Sequence, residues 1–183
     1  MKLKITLALI LYILGAVYLT APSPPYPDLD GGARSDEPGD TWQHPDQKAF
    51  FTNRTRGEVI PEMQRKFTLK IFGVAVPSFR LNYRPEESFE LIRDQVPSYY
   101  LEEIIYPFRE SLFVNGWEPT NTPGYKNAIP GKIPLATFKG DTYLGKITLR
   151  PVNSYVWARL FVWALIFPSV YLVYLSLKRS LRA

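Results

Sequence analysis

Residues 156–177 read VWARLFVWALIFPSVYLVYLSL, and within them residues 160–177 carry no charged side chain. At 1.5 Å rise per residue, those uncharged positions form a helix of roughly 27 Å, close to the hydrocarbon thickness of a bilayer. This stretch predicts a transmembrane helix over residues 155–177. Lys178, Arg179 and Arg182 follow it in a basic tail, 178–183, without an acidic residue, which marks the cytoplasmic side. Tyr155, Trp157 and Trp163 lie toward the other end, with Tyr171 and Tyr174 near the tail, as two interfacial belts would. Arg159 stands about one turn inside the outer boundary. The expectation is that its long stem snorkels to the headgroups; the alternative is a pair with an acidic group on a partner helix. Pro168 predicts a kink in mid-span.

At the other end Lys2 and Lys4 precede an apolar run over residues 5–19. A secretory leader and a retained signal anchor share this pattern. Cleavage after Ala21 needs a small residue where Leu19 stands and puts Pro22 directly after the cut. Retention is therefore the expectation for residues 1–21. Basic residues then flank both apolar segments on the cytoplasmic side, which places the middle of the chain outside the cytoplasm and both termini within.

The formal net charge of +5 belongs to this topology. All 17 acidic residues fall between Asp28 and Asp141, whereas Lys2, Lys4, Arg159, Lys178, Arg179 and Arg182 sit in or beside the apolar ends. The middle is close to neutral, so no nucleic-acid partner is expected. With no cysteine, a disulfide framework and a zinc-thiolate site are excluded.

Residues 22–46 contain clustered prolines, glycines and acidic residues and predict an extended linker. An α+β domain over residues 47–154 follows, with an antiparallel sheet and helices on one face. Its predicted elements are a strand at 48–52; a helix at 56–66 capped by Thr55 with Glu58 completing a capping box; and strands at 67–76 and 79–83. Pro85, Glu86 and Glu87 open a helix that bends at Pro97 and resumes to about Leu112, with Leu101, Ile104, Ile105, Phe108 and Leu112 on one side, ended by Asn115 and Gly116. A long loop at 117–132 and strands at 133–138 and 142–150 complete the domain.

The candidate chemistry is sparse. His44 is the single histidine, so a metal site or histidine triad is not expected, and no cofactor is implied. Asp94, Glu102, Glu103 and Glu110 are the carboxylates that acid–base chemistry on the long helix would use, although adjacent Glu102 and Glu103 point about 100° apart on a helix. Aromatic and basic residues offer a better case for binding, and Trp117, Arg159, Arg109 and Tyr99 are the candidates. The leading expectation is a non-enzymatic membrane protein whose extracytoplasmic domain binds other membrane or envelope proteins as an accessory subunit. The alternatives are an enzyme of envelope polymers or lipids working through helix carboxylates, and a ligand-sensing ectodomain.

Overall fold

The computed structural model describes residues 2–92, 100–117 and 136–181, with the backbone alone at residues 2–5, 85, 89 and 117. Its centre is a six-stranded antiparallel sheet in the order β1-β2-β10-β7-β6-β5. These strands are β1 (Ala33–Arg34), β2 (Lys48–Thr52), β5 (Phe79–Tyr83), β6 (Tyr100–Ile105), β7 (Ser111–Trp117) and β10 (Gly145–Val152). Helix α1 (Lys2–Thr20) precedes the sheet in the chain and α4 (Val156–Ser180) follows it. Of the described helices, α4 is long and apolar enough to cross a membrane, while the apolar part of α1 covers residues 6–20.

Helix α2 (Arg56–Lys66) forms where the capping chemistry puts it, with Glu58 accepting from the Thr55 amide at 2.8 Å. Val59, Ile60 and Met63 of α2 meet Phe50, Tyr100, Ile104, Leu112, Val114, Ile147 and Leu149 in the main core. In the register, Glu102 faces Val114 and Ile104 faces Leu112, so the even-numbered residues of β6 share that face. The opposite face carries Leu101 and Phe113, covered by Ile92 and by Leu91 of the one-turn helix α3 (Ser88–Leu91). Farther along, Phe51 stacks on Phe138 at 4.5 Å. Phe138 belongs to a small hairpin of β8 (Ala136–Phe138) and β9 (Asp141–Tyr143). The α+β class and the antiparallel sheet are as expected, but helices lie on both faces.

The main correction concerns residues 100–112. Where the periodicity predicts the second half of a helix, the chain forms β6, a turn at residues 106–110, and the start of β7. The sheet is covered on both sides, so neither face of β6 needs to be polar, and its apolar residues show no strict alternation. Glu102 and Glu103, which look like a solvated helix face, are buried on opposite faces of the strand. Gly116 is likewise not a helix terminator. It pairs with Tyr100 across β7 and β6, and a Cβ placed there would lie 2.0 Å from the tyrosine ring.

The segment at 67–76 also divides, into β3 (Lys70–Ile71) and β4 (Val74–Ala75) around Phe72 and Gly73, both with positive φ. Residues 22–46 are packed where an extended linker is expected. Ala33 and Arg34 pair with Phe51 and Phe50 as an edge strand, Leu29 enters the main core, and Tyr26 donates its hydroxyl to the Leu149 carbonyl at 2.8 Å. Polar anchors complete the attachment: Glu62 of α2 accepts from the Asp30 amide at 3.0 Å, and Lys146 pairs with buried Asp40 at 2.8 Å. A proline-rich chain has little entropy left to lose, so a few such anchors suffice to hold it.

Burial alone would push the Glu62 carboxyl up; the Asp30 amide, Arg54 and Lys66 reverse this and hold it down at about 2. A depressed carboxylate contributes stability above its unfolded pKa, and that contribution is lost as pH falls toward the folded value. The melting temperature of the native chain should therefore fall between pH 5 and pH 3 more steeply than that of Glu62→Gln, as followed by circular dichroism. At constant pH, Gly116→Val should cost about 1–3 kcal/mol in denaturant unfolding, because Tyr100 must leave its place.

Candidate functional site

The C-terminal end of any helix leaves carbonyls without intrahelical donors. In α1, Thr20 returns its hydroxyl to Ala16 at 2.8 Å and the Ala21 amide serves Val17 at 3.1 Å. The carbonyls of Tyr18, Leu19, Ala21 and Pro22 are met from outside the helix, by guanidinium groups. Arg109 donates Nη1 to Tyr18, and its Nη2 to Ala21 at 2.9 Å and to Pro22 at 3.2 Å. Arg159, in the first turn of α4, donates Nη1 to Leu19 at 3.2 Å.

Glu110 joins the two arginines. Its Oε1 accepts from Arg109 at 2.7 Å and its Oε2 pairs with Arg159 Nη2. Ser154 receives the remaining Arg159 donors, Nε at 2.7 Å to the hydroxyl and Nη2 at 2.6 Å to the carbonyl. All three charged side chains are buried, with residue exposures of 2% for Glu110, 6% for Arg159 and 7% for Arg109. Two cations against one anion leave a positive excess, and the negative end of the α1 macrodipole lies against it. Tyr18 closes the group by donating its hydroxyl to the Pro107 carbonyl at 2.9 Å, with the Arg109 guanidinium 5.5 Å from its ring centroid.

Below this clasp the two helices run antiparallel in contact. Trp163 of α4 donates its indole N–H to the Tyr12 carbonyl at 3.1 Å. The Trp163 ring occupies the space beside Gly15, where an added Cβ would stand 2.1 Å from it. Phe167 packs edge-on against Tyr12 at 5.2 Å and Trp163 at 5.3 Å. A glycine that admits a large aromatic side chain is how apolar helices come close.

The clasp unites two of the sequence candidates, Arg109 and Arg159. The snorkelling expected of Arg159 does not occur: its guanidinium turns into the protein, toward Glu110 of the β6–β7 turn and not toward an acidic group on a helix. Trp117 ends β7, six residues from Ser111, which puts it roughly 20 Å from the clasp end of that strand. It is paired with Lys146 in the sheet, and the rest of the expected loop, 118–132, lies outside the described residues. Tyr99 and Asp94 lie outside the described residues. Glu110 is a sequence candidate only as one of four acid–base carboxylates, and its place as the counter-charge, together with Ser154 and the α1 carbonyls, escapes a sequence reading, although an arginine inside an apolar run demands a counter-charge and Glu110 adjoins another arginine.

The other carboxylates are engaged separately. Glu102, fully buried, receives Arg56 Nε at 2.5 Å and has Arg80 Nε at 2.7 Å from its other oxygen. Arg56 also reaches Asn82 at 3.1 Å. On the opposite face Glu103 accepts from Tyr83 at 2.5 Å and from the Ser111 hydroxyl. Burial, and then Glu103, push the Tyr83 phenol up to about 12. Glu102, Glu103 and Glu110 thus share no common cleft. A hollow of about 490 Å³ between α2 and the β3–β4 hairpin is lined by Gln64, Arg65, Thr68, Ser78 and Tyr106 among others, and no carboxylate or histidine borders it. Among the described residues no cluster of three or more histidine, aspartate or glutamate side chains is placed to hold a metal ion. No family model, curated protein or solved structure matches this chain.

Breaking a buried pair by removing one partner leaves an uncompensated charge. Glu110→Gln should lower the unfolding free energy of the detergent-solubilised chain by about 3–5 kcal/mol. Arg34→Ala, which removes the exposed Arg34–Asp28 bridge, should stay within about 1 kcal/mol in the same denaturant titration.

Proposed function

We propose that the chain is an integral membrane protein, anchored by α1 and α4, that holds its α+β domain outside the cytoplasm and presents it, without catalysis, to another membrane or envelope protein. The clasp is the observation that carries this reading. It fixes the domain to the helix pair through three buried charged side chains and four helix-end carbonyls. A tether would need none of this, whereas a subunit that offers a surface at a set height and angle would need it.

Charge placement supports the orientation. The antiparallel helices bring the first residues of α1 to the same side as Lys178 and Arg179 of α4, and we read that side as cytoplasmic by the positive-inside rule. Arg109 and Arg159 stand at the opposite end and do not compete with this signal, since Glu110 and the α1 carbonyls occupy them. An apolar edge of the sheet supports the partner reading. Among the described residues β5 is the outermost strand on its side, with Phe79 60% and Leu81 43% exposed on one face. An edge with apolar side chains is a surface that a partner strand or helix covers. The non-enzymatic reading is favoured over the enzymatic one because Glu102, Glu103 and Glu110, three of the four carboxylates the latter invokes, are held apart in ion pairs or hydrogen bonds and share no cleft, Asp94 lying outside the described residues.

The lack of cysteine allows single-cysteine mapping. In intact cells a membrane-impermeant maleimide should label Thr142→Cys, and should label Ser180→Cys only after permeabilisation; the reverse pattern would reject the topology. After gentle detergent extraction the native chain should elute as a complex larger than one chain in its micelle. Leu81→Glu should return it to single-chain size. A monodisperse single chain from the native protein would count heavily against the accessory-subunit reading.

A further inference from the structure

Two phenylalanines stand at turn tips in the left-handed region of backbone space, Phe72 at φ 51° and Phe108 at φ 60°. Bulky residues avoid that region, and a turn in water ordinarily places Gly, Asn or Asp there. Both side chains also face outward, Phe72 at 92% and Phe108 at 60% exposure. Neither backbone preference nor burial within the domain accounts for an aromatic ring at either tip.

Their positions in the fold are related. Phe108 lies between Pro107 and Arg109, the residues that bond Tyr18, Ala21 and Pro22 at the end of α1. Phe72 follows Ile71, which packs against the same core cluster as Tyr18 and Ala21. Lys70, next along the strand, borders a hollow of about 290 Å³ together with Pro22 and Ser23. At the start of α4, Tyr155 and Trp157 are exposed and stacked at 6.3 Å. Exposed aromatics from three separate elements therefore gather at the level where the helices leave the domain. Val74 extends the apolar tip, and Arg65 and Lys70 stand exposed nearby, suited to lipid phosphates.

We infer that Phe72 and Phe108 insert into the headgroup–acyl boundary of the bilayer that α4 crosses, so that the domain rests on the membrane surface instead of standing above it. The inference rests on the membrane reading given above and adds the lipid contact to it. A bilayer is the occupant because the two tips continue the interfacial belt begun by Tyr155 and Trp157. Insertion would offset both the exposure of the rings and their unfavourable backbone geometry.

Full-length single-cysteine variants carrying an environment-sensitive fluorophore test this in phosphatidylcholine–phosphatidylglycerol vesicles containing a shallow nitroxide-labelled lipid. Probes at Phe72→Cys, Val74→Cys and Phe108→Cys should emit to the blue and be quenched several-fold more than a probe at Thr142→Cys on the β8–β9 hairpin. Val74→Cys leaves both turns unaltered and decides the question for the β3–β4 tip even if a phenylalanine variant misfolds. A probe at Leu172→Cys in α4 separates the two readings. If Leu172→Cys is quenched while the tip probes behave like Thr142→Cys, the domain stands clear of the lipid, or a protein covers the tips, and the inference is overturned. If Leu172→Cys is itself unquenched, the membrane reading fails and takes this inference with it.

Discussion

The carbonyls at the end of α1 must find donors in apolar surroundings, and guanidinium groups from two distant parts of the chain supply them. Arg109 comes from the β6–β7 turn and Arg159 from the first turn of α4, and Glu110 holds the pair in register. This cluster joins α1, α4 and the sheet at one point. An arginine is suited to this place because its planar fork serves several acceptors at once. A lysine would meet fewer of these carbonyls from the same position.

The sheet is organised by the same economy of polar groups. β7 and β10 occupy its middle; α2 packs on one side of the sheet, and on the other α3 packs beside Phe113 of β7 while the β8–β9 hairpin packs on Phe51 of β2. Such a layer admits charged residues only where partners are built in, as for Glu102 between Arg56 and Arg80, or Glu103 with Tyr83 and Ser111. Buried ion pairs of this kind contribute little net stability, yet they penalise any register that would leave one member alone. The N-terminal segment is fastened by the same device, through Glu62 and Asp40.

Local signals were legible in the sequence, and non-local ones were not. Thr55 and Glu58 announce α2, β2 and β5 appear at the positions their composition predicts, and the length of uncharged chain announces α4. Residues 100–112 misled because their apolar spacing fits a helix as well as a strand, and because buried glutamates imitate a solvated face. Only the pairing with β5 and β7 resolves that ambiguity, and pairing partners cannot be read from one strand. The packing of residues 22–46 was hidden for a related reason: composition reports how much apolar surface a segment owns, not that Tyr26 and Leu29 have places waiting for them. Of the clasp, Arg109 and Arg159 could be singled out one by one, and Glu110 as one carboxylate among four. Their meeting at Glu110 is a property of the fold.

The central claim is that the clasp makes the helix pair and the domain one body. Spin labels at Thr142→Cys on the β8–β9 hairpin and Tyr174→Cys in α4, introduced together into the full chain in lipid nanodiscs, measure this through the distance between them by pulsed electron resonance. A single narrow distance distribution is predicted. A broad distribution spanning many distances, as a domain on a flexible tether would give, would contradict the account.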